Sequence, residues 1–177
     1  LYHSDPSASS LGFIGYTYGG TIKNLTIANS YIQGNQRVGL IIGSAGSGSS
    51  VINCKTSGVV KGSSSVGGIV GTMSNSLSKV EIAIDRCENA ATVTATGDIV
   101  GGIIGDSRDV VMQGCRNTGD ITGANYIGGI VGNTYNPDTV KQCVNLGEVD
   151  GASYVGGIAG MGSAAITECI NKGTVSG

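Results

Sequence analysis

Three groups of residues have types and spacings that chemistry uses. From Val38 to Ser50 the chain reads VGLIIGSAGSGSS, an apolar run opening into glycine and serine, as in a strand that feeds a phosphate-cradling loop. A phosphate loop places Lys-Ser or Lys-Thr after its second key glycine, and no lysine stands there. A dinucleotide fingerprint needs a third glycine after Gly46 and Gly48, where the sequence has Val51. Both nucleotide readings fail. The second group is five cysteines, Cys54, Cys87, Cys115, Cys143 and Cys169, each roughly 28 residues from the next. Metal centres draw on pairs such as C-x-x-C, which are absent, and an odd number leaves a disulfide framework incomplete. The third group is acidic, with Asp120 and Glu148 28 residues apart and Asp150 just beyond.

The remaining inventory for catalysis is thin. His3 is the sole histidine and stands near the start of the chain, so a serine or cysteine triad has no imidazole base and a metal hydrolase lacks its nitrogen ligands. Carboxylates alone serve glycosidases and β-helical lyases. Against those, the chain has no tryptophan and few aromatics to stack on a sugar. No cofactor is called for. The net charge of −2 attracts neither nucleic acid nor an anionic membrane. No apolar run approaches the ~20 residues of a transmembrane helix. Charge is split along the chain. Up to Lys79 there is one acid, Asp5, against five bases, and from Glu81 onward eleven acids face five bases.

All three groups belong to a repeat. VGLIIG at Val38 returns as VGGIVG at Val66, VGGIIG at Val100, IGGIVG at Ile127 and VGGIAG at Val155, with LGFIG at Leu11 as a degenerate first copy. The closing glycines fall at 15, 43, 71, 105, 132 and 160, spaced by 28, 28, 34, 27 and 28 residues. Between them recurs a second motif whose central column is Leu25, Cys54, Cys87, Cys115, Cys143 and Cys169. A third column follows at Ile32, Val60, Val93, Ile121, Val149 and Val175. Each unit thus holds three short β-branched segments separated by Gly, Asn, Ser or Asp, with nothing periodic enough for a helix. Recurrence of whole units at this period predicts an all-β fold, a parallel β-solenoid (β-helix) of about six coils of about 28 residues with three short strands per coil, filling 1–177 as a single domain. An array of β-hairpins is the competing layout, and few segments are joined by the two-residue turns it prefers.

The solenoid gives each group a structural reading. Strict alternation in VGGIVG puts Val66 and Val70 on one face and Ile69 on the other, so either the strand is covered on both sides or a bulge turns Ile69 inward. The glycines permit close approach of another segment or chain, or they ease a corner of the coil. The cysteines form a ladder of reduced thiols filling the interior, although coil spacing alone would tolerate a disulfide. Asn89, Asn117, Asn145 and Asn171, two residues past each cysteine, bond between coils as a second ladder or adopt left-handed turns. Asp120, Glu148 and Asp150 share an outward face, where like charges at coil spacing repel. A bound Ca²⁺ would relieve that repulsion, and a solvated acidic face is the simpler reading. The outward column Gln33, Lys61, Thr94, Thr122, Asp150, Ser176 is too mixed for the threonine ranks of an ice-binding face. Residues 72–83 are the longest departure from the repeat and read as a surface insertion, a usual seat of binding specificity.

Pairing C-x-N-x-G with V-G-G-I-x-G at this period, the sequence resembles the GLUG-motif repeats of bacterial surface and secreted proteins, including the amino-terminal regions of some immunoglobulin A1 proteases. The resemblance is clear from Val38 to Gly177 and blurred before it. It implies a right-handed solenoid within a large exported protein of a Gram-positive or gut bacterium, and it supplies no catalytic residues. The function expected is a non-catalytic module at the bacterial cell surface or outside the cell, a stalk, spacer or adhesin with neighbouring domains of the same parent chain. A host protein or glycan is the partner such a surface would take. The alternative is an accessory region of a secreted enzyme such as a protease, whose catalytic domain lies outside this sequence.

Overall fold

The computed structural model describes residues 1–75, 83–135 and 137–177. Among these residues there is no helix. All strands pair in parallel, each with the strand about one repeat away, in sheets of ten, six, six and five strands. The result is a β-solenoid of about six coils at about 28-residue spacing. Parallel pairing between successive coils repeats every ~4.8 Å along the axis, which makes each coil the template for the next.

The repeat columns seen in the sequence are the pairing registers. Ile14, Ile42, Val70, Ile104, Val131 and Ala159 lie opposite one another in sequence order. Ile22, Val51, Ile84, Met112, Val140 and Ile166 do the same, as do Ile32, Val60, Val93, Ile121, Val149 and Val175. From the second coil to the fifth these inward residues are nearly all fully buried and form one continuous core.

The described coils carry three to five strands where three were expected, because some of the expected strands are divided. In the third coil the glycine motif divides into Ser64–Gly67 and Val70–Ser74, which belong to different sheets. The break at Gly68 and Ile69 settles the alternation conflict. Because the chain turns a corner there, Val66, Ile69 and Val70 all point inward and all are fully buried.

Two columns of residues bend the chain in the left-handed region. Ser10, Arg37, Ser65, Ile99, Tyr126 and Tyr154 form one such column, with φ of 53 to 65°. Asn24, Asn53, Arg86, Gly114, Gln142 and Glu168 form the other, with φ of 48 to 64°. Only one of these twelve is glycine. Registry with the coils on either side, each bent at the same place, holds the others in a conformation that costs a lone residue ~1–2 kcal/mol.

Only the two ends of the expected surface insertion, 72–83, fall among the described residues. Thr72, Met73 and Ser74 continue a strand and pair with Asp106, Ser107 and Arg108 of the next coil, while Ala83 is fully buried. The residues between, 76–82, lie outside the described residues.

Candidate functional site

Two ladders occupy the solenoid interior. Cys54, Cys87, Cys115 and Cys143 are buried and unpaired, and Cys169 in the last coil is partly exposed. Each thiol donates to the carbonyl oxygen two residues earlier, at 3.3 Å for Cys54, Cys143 and Cys169 and 3.4 Å for Cys87 and Cys115. Burial pushes the Cys115 thiol well above its ordinary pKa, with its stacked neighbours Cys143 and Cys87 adding to the effect. Cys169 is raised by the same desolvation. Cys87 and Cys143 shift the other way, held below the ordinary value chiefly by hydrogen bonding with Cys115. Access and not acidity thus separates the five, and Cys169 is the one that is partly exposed. With a maleimide reagent at neutral pH, Cys169 is therefore expected to label first. The four buried cysteines should react only under denaturant, and mass spectrometry reading five rapid additions on the folded chain would refute that assignment.

The second ladder is hydrogen-bonded along its length. The Nδ2 of Asn89 donates to Oδ1 of Asn117, that of Asn117 to Asn145, and that of Asn145 to Asn171, each at 2.8 Å. The other Nδ2 hydrogen of each goes to a backbone carbonyl two residues on: Ala91, Gly119, Gly147 and Gly173. Thr56 takes the Asn position in the second coil and donates its hydroxyl to Oδ1 of Asn89 at 2.9 Å, and Ile27 takes it in the first. None of the four asparagines is left-handed.

Facing the asparagines across the coil is the second glycine of each V-G-G-I motif. A Cβ on Gly68 would lie 2.3 Å from Cγ of Asn89, and one on Gly102 2.5 Å from Cγ of Asn117. The glycine column therefore makes room for the amide column. In the second coil, where Thr56 replaces asparagine, the corresponding glycine is replaced by the fully buried Leu40. No partner chain is required to explain these glycines.

The acidic group does not converge. Asp120 accepts the backbone N–H of Glu148 at 3.0 Å, and Asp150 accepts the hydroxyl of Ser176 at 2.8 Å and lies in register with Thr122, away from Asp120. Among the described residues no group of three or more His, Cys, Asp or Glu is gathered closely enough to hold a metal ion. His3 is exposed on the strand Tyr2–Ser4 that precedes the first coil.

One buried acid escaped the sequence reading. Asp138, 2% exposed, accepts from the Ser107 hydroxyl at 2.8 Å and from the backbone N–H groups of Tyr135 at 2.9 Å and Val110 at 2.8 Å. Nearby, burial raises the pKa of Asp106, which accepts from Asn133. Every oxygen of Asp138 has a donor, so the group ties a turn to the preceding coil and holds no reactive lone pair in a cleft. Its signal was the Pro-Asp pair at 137–138, a turn-forming dipeptide.

The face that offers itself to a partner is the outer side of the ten-stranded sheet. Its side chains stand in columns: Thr26, Lys55, Glu88, Arg116, Val144 and Ile170 at one margin, and Gln33, Lys61, Thr94, Thr122, Asp150 and Ser176 at the other. Lys55 and Glu88 form an ion pair at 3.2 Å, half-exposed. A shallow groove of about 250 Å³ lies along this first margin, lined by Lys55, Ser57, Glu88, Arg116 and Thr118. Tyr2 stacks on Tyr31 at 5.3 Å and Tyr126 on Tyr154 at 5.1 Å, while Phe13, Tyr16 and Tyr18 stand exposed on the first coil.

No family model matches the chain, and no solved structure matches it. Over an alignment 122 positions long that covers 56% of the chain, it is 34% identical to Halomucin from Haloquadratum walsbyi. The chain spans about 1% of the length of that relative.

Proposed function

We propose that this chain is a non-catalytic repeat module of an exported or cell-surface protein, a stiff rod segment that acts as spacer or adhesive surface and belongs with the GLUG-motif repeats. The observation that carries this reading is the interior. The inward columns of the described coils are filled by apolar side chains, a thiol ladder and a hydrogen-bonded amide ladder. What is left for function is the outer surface and the length of the rod. Similarity to Halomucin, by name a mucin, supports a place among long extracellular proteins, the matched stretch being so small a share of that relative.

Antibodies raised against the folded chain should label intact cells that produce the parent protein. Labelling only after lysis would overturn a surface location. The same chain, immobilised against glycan and host-protein arrays, separates the two roles. A saturable, competable ligand identifies an adhesive surface, and uniform silence identifies a spacer.

A further inference from the structure

We infer that the outer face of the ten-stranded sheet docks a second copy of this chain, face to face and antiparallel, through a two-fold axis lying across the solenoid between the third and fourth coils. Such an axis keeps each column opposite itself and reverses the order of coils, so coil two meets coil five and coil three meets coil four. The charge pattern is self-complementary under that operation. In one margin column Lys61 of the second coil meets Asp150 of the fifth, with Thr94 opposite Thr122 between them. In the other, Glu88 of the third coil meets Arg116 of the fourth. Both oppositions occur twice by symmetry, giving four ionic contacts.

The remaining charges on the face are also compatible. Lys55 falls opposite Val144, Asp120 opposite Thr92 and Glu148 opposite Val59, so no like charges meet. A parallel arrangement exchanges the two margins and sets Lys61 against Lys55, and a shift of one coil sets Asp120 or Glu88 against its own copy, so neither keeps this pattern. The sequence-level split between a basic first half and an acidic second half thereby acquires a use, because a rod of one sign at each end attracts its own reverse.

The face has the size a specific dimer needs. Eight residues across at ~3.3 Å and six coils at ~4.8 Å give about 750 Å² per partner, within the standard range for stable complexes. Lys61 rests over the Tyr31 ring at 5.9 Å, and Lys61, Arg116 and Asp150 are exposed. Glu88, paired with Lys55 of its own chain at 3.2 Å and about half exposed, would be shared with Arg116 of the second copy.

Sedimentation equilibrium on the purified chain tests the proposal. A monomer–dimer equilibrium is expected at low salt, weakening as sodium chloride rises to about 0.5 M, where screening falls to a few ångströms. Lys61→Asp should weaken the dimer by about tenfold or more, and adding Asp150→Lys to the same chain should restore it. Circular dichroism confirms that both variants, altered only at exposed positions, keep the fold. A strictly monomeric chain at low salt, a dimer indifferent to Lys61→Asp, or a mass that grows past two copies by end-to-end stacking would each overturn the inference.

Discussion

Gly102→Ala is expected to destabilise the folded chain by at least about 3 kcal/mol, at the upper end of what overpacking by one methyl group costs. The added Cβ would lie 2.2 Å from the carbonyl oxygen of Gly129 in the next coil and 2.5 Å from Cγ of Asn117. Neither is the loose end of a long side chain. The first is backbone held by the parallel ladder, and the second is an amide fixed by three hydrogen bonds, so relief requires the coils to separate locally. Urea titration followed by circular dichroism reads the effect as a drop in midpoint with little change in slope. Gly15→Ala is the control. Its Cβ would approach only the Ser10 carbonyl, at 3.0 Å, on an exposed part of the first coil, and a loss below about 1 kcal/mol is expected. Equal stability of Gly102→Ala and the unaltered chain would show that the glycine column has some purpose other than admitting the asparagines.

The registers were readable because a solenoid repeats its contacts as it repeats its sequence. A column of Ile32, Val60, Val93, Ile121, Val149 and Val175 written every 28 residues or so can only be reproduced by stacking, and those residues do lie opposite one another. The corners were not readable in the same way. VGGIVG looks like one strand because its apolar residues are contiguous, yet the turn between Gly67 and Val70 makes it two. Side-chain type also hides the left-handed columns, which include Ile99 and Tyr126, residues that choose this conformation nowhere by preference. Their φ is set by the coils above and below, a tertiary cause with no local signature.

Site residues divided along a similar line. The cysteine and asparagine columns were visible as columns, but the sequence could not show that the glycine two places before Val70 faces Asn89 across the lumen, since 21 residues separate Gly68 from Asn89 and the distance depends on coil width. Leu40 opposite Thr56 was the internal clue. The copy that lacks the asparagine also lacks the glycine. The acids failed as a group for a simpler reason. Sequence spacing placed Asp120 above Glu148, and nothing in spacing says that the Asp120 carboxylate turns to the Glu148 backbone N–H instead of toward a shared cation.

Removal of one amide from the middle of the ladder should be nearly as costly as the glycine substitution, by a different mechanism. Asn117 is fully buried, donates to Oδ1 of Asn145 and to the Gly119 carbonyl, and accepts from Asn89. Asn117→Ala leaves two buried acceptors without donors and one donor without its acceptor. At ~1–3 kcal/mol for each unsatisfied group, partly relaxed, a loss of about 3 kcal/mol is expected. Asn171→Ala, at the exposed end of the same ladder, should cost under about 1 kcal/mol because water replaces the lost partner. Asn117→Asp discriminates hydrogen bonding from packing, since the side chain keeps its shape. An ionised carboxylate accepts from Asn89 but turns a lone pair toward Oδ1 of Asn145, whereas the protonated acid can donate there. Burial and that opposed oxygen raise the folded-state pKa of the new acid above the unfolded value of about 3.9. The folded state then binds the extra proton, so the variant's stability relative to the unaltered chain should fall as pH rises through the folded pKa. The pH-dependent part should recover only below about pH 4, leaving the smaller fixed loss of the Gly119 carbonyl's donor. If the ladder merely fills space, Asn117→Asp would track the unaltered chain at every pH; a deficit that opens toward neutrality would show that the donated proton of each amide is what joins one coil to the next.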